Sequence, residues 1–140
     1  MTRGSTWEAD LSAYIASVRN DRFEWGRLDC GLFFAGAVMA MTGFDPGEPF
    51  RGKYSTDLGA AKALKRFGAG DLKSTLDSLF EPRPVGRLQR GDGVWNGEAV
   101  GVCMGDYALF VGHHPVADGT ELHGLIRVPR AEWTGGWRVG

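Results

Sequence analysis

The residue best placed for nucleophilic chemistry is Cys30, which directly follows Asp29. Asp29 is predicted to cap a helix beginning at Cys30, because aspartate is a preferred N-cap residue and the residues that follow, GLFFAGAVMAM, are almost wholly apolar. Unpaired backbone N–H groups and the positive end of the helix dipole favour a thiolate there. We therefore predict a lowered pKa for the Cys30 thiol. The alternative is a small core residue, since free cysteine is among the most buried residue types.

A nucleophilic thiol needs a neighbouring base, and the chain has three histidines, His113, His114 and His123. His113-His114-Pro115 is typical of a solvated turn. His123 precedes Gly124 and a predicted strand, where its ring can face either a groove or the solvent. Each of these histidines could approach Cys30 from a neighbouring loop or strand. We take His114 and His123 as the candidate bases for Cys30, although no spacing pattern selects one of them.

The remaining polar residues give little support to other chemistry. Asp92 has no second acid at a recognisable spacing, and Gly-Asp at a strand start is typical of an Asx-type turn, so we interpret it as structural. Cys30 and Cys103 form no CxxC or Cys/His cluster, which argues against a metal site. The glycines match neither GxGxxG nor GxxxxGK[ST], so no nucleotide is expected. The sequence predicts no cofactor.

The bulk composition indicates one globular domain covering residues 1–140. The chain has 140 residues, of which 43% are hydrophobic, enough for one sizeable core. Its 16 basic and 17 acidic residues nearly cancel, which gives no signal for nucleic acid. The segment MTRGSTWEAD resembles no signal peptide and no apolar run approaches the roughly 20 residues of a membrane span, so we expect synthesis in the cytosol, where a disulfide between Cys30 and Cys103 is disfavoured.

The order of predicted elements indicates an α+β fold. Four helices are predicted, with starting signals at the capping box Ser5-Thr6-Trp7-Glu8, at Asp29, at Ser55-Thr56-Asp57 and at Asp71. The third is expected to carry an apolar face of Leu58, Ala61, Leu64 and Phe67. Short apolar runs between glycines then predict strands at 94–95, 100–104, 108–111, 125–128 and 137–139. Helices followed by strands predict N-terminal helices packed on a C-terminal antiparallel meander.

Three segments resemble motifs of the NlpC/P60 cysteine peptidases. WGRLDCGLF (residues 25–33) resembles the W-G-x-x-D-C-[SG]-x-[LF] stretch that carries their nucleophile. RGDGVW (90–95) and AVGVCMG (99–105) resemble the R-G-D-[LV]-V-F and H-V-G-I-Y-[LI]-G strands in the same order. The resemblance implies a papain-like fold with Cys30 as nucleophile, and with Trp25, Asp29 and Asp92 supporting the site.

A narrower resemblance covers most of the chain. Together with the cysteine motif, TGFDP (42–46), RGKY (51–54) and GWRV (136–139) resemble a group of small phage and prophage tail-region proteins. This resemblance implies a virion component, located in the tail after synthesis in the host cytoplasm. Its implied partners are other phage tail proteins and peptidoglycan.

The departure from the peptidase pattern falls at Ala99, which occupies the position of the family's histidine. Alanine cannot accept the thiol proton, so the usual Cys–His mechanism cannot operate from this strand. We therefore predict a tail-tip or baseplate-associated structural or assembly protein that has lost catalysis. The alternative is an active peptidase or amidase that cleaves peptidoglycan during phage entry, with His114 or His123 as a relocated base. A third interpretation, a host-encoded small-molecule or peptide binder, has no ligand-specific signal in the sequence.

Overall fold

The computed structural model of the chain describes residues 1–112, 114–115, 121–122 and 124–140. These residues form an α+β fold with helices first and an antiparallel sheet after them, as predicted. The α-helices are α1 (Trp7–Val18), α2 (Cys30–Thr42), α3 (Asp57–Phe67) and α4 (Leu72–Leu79). The strands are β1 (Glu81–Arg83), β2 (Gly93–Trp95), β3 (Val100–Cys103), β4 (Tyr107–Val111), β5 (His114–Pro115), β6 (Glu121–Leu122), β7 (Leu125–Pro129) and β8 (Gly135–Arg138).

Helix α2 is the central element of the fold. The Asp29 side chain caps it by accepting a hydrogen bond from the Leu32 amide at 2.9 Å, and Gly43 ends it with a φ of 80°. Most of its side chains are buried, and it packs against α1, β3 and β4. The predicted buried central helix is therefore confirmed. Among the described helices, none is long and apolar enough to cross a membrane.

Two helix predictions are wrong in detail. The N-cap of α1 is Thr6, and its hydroxyl donates a hydrogen bond to Asp10 at 2.8 Å instead of capping the helix, so the predicted capping box does not form. On α3 the buried residues are Ala60 and Ala63, whereas Leu58 is 66% exposed. Leu64 is partly buried, whereas Phe67 is exposed like Leu58.

The sheet departs from a simple meander. Its six strands run in the order β1-β8-β2-β3-β4-β7, and every pair is antiparallel. Strands β2, β3, β4 and β7 follow chain order, but the C-terminal strand β8 returns to lie between β1 and β2. The sequence analysis missed β1 because Glu81-Pro82-Arg83 lacks apolar alternation. A Cβ on Gly136 would lie 2.0 Å from the Gly93 carbonyl oxygen, so this glycine is needed for the close β2–β8 pairing.

Two buried clusters occupy opposite faces of this sheet. The helix-side cluster includes Val100 and Val102 from β3 together with side chains of α1, α2 and α4. The outer cluster includes Cys103 from the same strand and packs around Phe110 and Trp133. Because successive side chains of a strand point to opposite faces, the parity of a residue in β3 decides which cluster it joins.

Candidate functional site

The loop before Cys30 is held by the Asp29 carboxylate, which is 3% exposed. Besides capping α2, this carboxylate accepts hydrogen bonds from the Gly26 amide at 3.1 Å and from the Tyr54 hydroxyl. Burial and the bond to Asp29 raise the pKa of Tyr54. The start of α2 is thus fixed to a segment more than twenty residues downstream, and the thiol of Cys30 has a defined position.

Gly26 is required for this arrangement by both its conformation and its surroundings. Its φ is 81°, and a Cβ at this position would lie 1.9 Å from the Tyr54 carbonyl oxygen. Its own carbonyl accepts a hydrogen bond from the Gly52 amide at 2.9 Å. The glycine of the motif's Trp-Gly pair therefore has a structural explanation, since no side chain fits where the loop meets the 52–54 segment. Trp25 packs its ring edge to face with Phe23, with ring centroids 4.8 Å apart.

The Cys30 thiol is partly buried beside the helix-side cluster. Burial raises its pKa, although the backbone of Val100 and the first amides of α2 act in the opposite direction, and the Asp29 charge raises the pKa further. The predicted lowering of the Cys30 pKa is therefore wrong. The N-terminus of the helix does favour the thiolate, but removing the thiol from water and placing it beside a carboxylate outweighs that effect.

The position of Ala99 shows why a histidine there does not face Cys30 in this fold. Ala99 lies one residue before β3, its amide hydrogen bonds to Asn96 at 2.8 Å, and its side chain packs against the outer cluster. Val100, the next residue, joins the helix-side cluster, against which Cys30 also packs. The side chains of Ala99 and Val100 therefore lie on opposite faces of the sheet, and Cys30 lies on the Val100 side.

The candidate bases lie at the edge of what the structure describes. The backbone of His114 forms β5 and pairs with Leu122, so residues 114–115 are a short strand and the predicted turn is wrong for them. The side chain of His114 and the whole of His123 and His113 lie outside the described residues.

Asp92 has a structural role, as predicted, but not through an Asx-type turn. It is 2% exposed, forms an ion pair with Arg3 at 3.0 Å and accepts hydrogen bonds from the amides of Gln89 and Val139. The Arg3 guanidinium also donates to the carbonyl oxygen of Val139 at 2.8 Å. Asp92 therefore joins Arg3 near the start of the sequence to Val139 near its end.

An apolar pocket of about 90 Å³ lies between α2, α3, α4 and the 46–54 segment. Cys30, Asp29 and Tyr54 line one part of it, and its other walls are mainly aliphatic and aromatic, including Leu32, Phe34, Leu64, Leu72 and Leu76. The sequence analysis gave no role to Tyr54 and did not find the pocket. The RGKY segment was a signal for Tyr54, but only the fold brings that tyrosine to Asp29.

The two cysteines, Cys30 and Cys103, are both free thiols. Cys103 is fully buried in the outer cluster, so the sheet separates it from Cys30. Within the described ranges, no group of three or more His, Cys, Asp or Glu residues is placed to hold a metal ion.

Fold and site together define an α+β domain in which a cysteine at the start of a central helix borders an apolar pocket. The chain belongs to the family described as a domain of unknown function (DUF6950), whose family model matches residues 2–139. Comparison with curated proteins and with solved structures found no match.

Proposed function

We propose that this protein is a non-catalytic member of the papain-like, NlpC/P60-type structural class that serves as a structural or assembly component of a phage tail tip or baseplate. The observation that carries the loss of catalysis is the geometry around the Cys30 thiol, which is partly buried beside an Asp29 carboxylate whose hydrogen bonds are already made to Gly26, Leu32 and Tyr54. Burial raises the pKa of the thiol, whereas a working cysteine nucleophile needs a lowered pKa or a paired base.

The surroundings of the thiol support the loss of catalysis. The residue at the position of the peptidase histidine is Ala99, whose side chain packs on the other face of the sheet. Asp29 is already engaged by two amides and the Tyr54 hydroxyl, and Tyr54 is held neutral by its raised pKa. Among the side chains that the structure describes, neither neighbouring polar group is therefore available to accept the thiol proton.

The assignment to a phage tail rests on the resemblance of the TGFDP, RGKY and GWRV segments. These segments also have structural roles that an assembly protein must keep. The Arg51 guanidinium forms a bidentate pair with the Asp45 carboxylate, with hydrogen bonds of 2.8 and 3.1 Å, which joins the RGKY segment to the TGFDP segment. Trp137 donates a hydrogen bond from its ring to Asp77 at 2.8 Å, which joins β8 to α4. The expected partners are other tail proteins, and the expected location is the virion.

A second candidate function is a peptidase or amidase acting on peptidoglycan. The observation that favours it is the contact of Cys30 with the Val100 backbone and the first amides of α2, which all lower the thiol pKa. In this function Cys30 is the nucleophile and His114 or His123 is the base that overcomes the effect of burial.

The pH dependence of Cys30 alkylation separates the two functions. The experiment uses iodoacetamide on a Cys103→Ala background, with His114→Ala and His123→Ala as further variants. A non-catalytic thiol is expected to react with a midpoint above that of free cysteine, and neither histidine variant should move it. A midpoint below that of free cysteine that rises when one histidine is removed would establish the hydrolase instead.

Assembly is tested by incubating the tagged protein with purified tails of a phage that encodes it, and with peptidoglycan. We expect retention on tails and no release of soluble muropeptides by the wild type or by Cys30→Ser. Muropeptide release by the wild type that is lost in Cys30→Ser would overturn the proposal.

A further inference from the structure

We propose that the pocket between α2, α3 and α4 is a binding site for a small, uncharged, apolar group about the size of a benzene ring or a leucine side chain. The pocket volume of about 90 Å³ is smaller than that of a cavity of about 150 Å³ that accepts benzene in another protein, so the ligand group must be no larger than a benzene ring. The inference is independent of whether Cys30 is catalytic.

The walls determine the chemical class of the ligand. Leu32 and Phe34 from α2, Leu64 from α3 and Leu72 and Leu76 from α4 present hydrocarbon to the pocket. An apolar group placed against these walls removes hydrocarbon surface from water, which is favourable. A charged group would lose its hydration without gaining a partner.

The polar residues in the wall already have partners within the protein. The Asp29 carboxylate accepts three hydrogen bonds, one of them from Tyr54, and the Thr75 hydroxyl donates to the Asp71 carbonyl at 2.6 Å and accepts from the Ala69 amide at 2.9 Å. In the described part of the chain, every buried side-chain nitrogen and oxygen atom is hydrogen bonded. Water in the pocket would therefore find few partners, and an apolar group displaces it readily.

The pocket adjoins a depression on the protein surface. A surface depression of about 370 Å³ shares Pro46, Phe50, Thr75 and Leu79 with the pocket wall. Leu79 is 42% exposed, and Phe67, which packs edge to face with Phe50, is also 42% exposed.

Cys30 reports on occupancy because its thiol lines the same pocket. The test measures alkylation of Cys30 by iodoacetamide at alkaline pH in a Cys103→Ala protein, with benzene as the probe. Benzene at about ten times its Kd is expected to slow alkylation about tenfold, because only the free pocket reacts, and to raise the Tm.

The variant that tests the location is Ala60→Leu, since Ala60 is buried in the pocket wall and the added carbons occupy the proposed volume. Ala61→Leu on the exposed side of α3 is the matched control. We expect Ala60→Leu to lose both benzene effects and Ala61→Leu to keep them; Ala60→Val replaces the first variant if it does not fold.

N-acetyl-leucine amide as a second probe distinguishes the source of the group. Protection by both probes would show that the pocket admits a leucine side chain carried on a peptide backbone, as a partner protein would present it, and protection by benzene alone would show that it admits only a free small molecule. Benzene that neither protects Cys30 nor raises the Tm up to its solubility limit, or that acts equally on Ala60→Leu, would overturn the proposal.

Discussion

The hydroxyl of Tyr54 donates a hydrogen bond to the Asp29 carboxylate, the same group that caps α2 one residue before Cys30. The bond joins two segments that are far apart in sequence, and it explains why an aspartate stands beside the cysteine without being a catalytic partner. It positions the thiol, the pocket and the start of α3, where Gly59 packs closely on Tyr54.

Tyr54→Phe should therefore destabilise the protein more than a comparable change elsewhere. It removes a bond to a charged group and is expected to cost about 2 kcal/mol in the free energy of unfolding. Tyr14→Phe is the matched control, because the Tyr14 hydroxyl donates to the neutral carbonyl of Phe33 at 3.0 Å, and its loss should cost about 1 kcal/mol. Urea unfolding compares the two, and an equal or larger loss for Tyr14→Phe would contradict the role given to Tyr54.

Gly26→Ala tests the close approach of the cysteine loop to the 52–54 segment. The added Cβ would overlap the Tyr54 carbonyl oxygen, so we expect loss of the folded state or a Tm too low to measure. Gly43→Ala shares almost the same φ, 80° against 81°, but nothing lies within 4 Å of the added carbon. It should cost only about 1 to 2 kcal/mol for the left-handed conformation. Similar melting curves for the two variants would contradict the packing argument.

Arg3→Gln tests the junction of the chain ends. It leaves Asp92 buried without its closest cation and breaks the bond to Val139, so we expect a loss of about 3 kcal/mol in unfolding free energy. Arg27→Gln is the control: Arg27 pairs with Glu24 on the surface and should cost less than about 1 kcal/mol. Chemical denaturation of both variants measures the difference, and losses of the same size would show that the Asp92 pair is unimportant.

Ala99→His tests whether restoring the peptidase residue restores a Cys–His pair. Because the Ala99 side chain packs against the outer cluster, we expect the pH dependence of Cys30 alkylation to remain that of the parent protein. The solvent-exposed variant Glu98→His controls for the added ring. A midpoint that falls only in Ala99→His would mean that the strand can turn this residue toward the thiol.

Much of the fold followed from local signals. Asp29, the segment Ser55-Thr56-Asp57 and Asp71 were predicted to open helices. In the structure the side chains of Asp29, Thr56 and Asp71 each accept a hydrogen bond from an amide three residues on. These predictions succeeded because capping depends on residues adjacent in sequence. The capping box predicted at Ser5 does not form, because the Thr6 hydroxyl donates a hydrogen bond to Asp10 instead. This competing bond is also local, but the sequence analysis did not consider it.

The candidate site was predicted less well. The sequence identified Cys30, Asp29 and Trp25, which the structure brings to one pocket, but not Tyr54, whose contact with Asp29 spans the intervening loop. The parity that sends Ala99 and Val100 to opposite faces of the sheet also depends on strand register. A resemblance between sequence motifs does not give the strand register.

The sequence by itself determined the α+β class, the buried helix α2 and its start at Cys30, because apolar pattern and caps act over a few residues. Only the tertiary structure decided the return of β8 between β1 and β2, the pairing of Arg3 with Asp92 and the direction in which the pKa of the Cys30 thiol is shifted. The physical reason is the same in each case: burial and long-range pairing depend on which segments meet in space, and here burial of Cys30 outweighs the helix N-terminus that the sequence placed beside it.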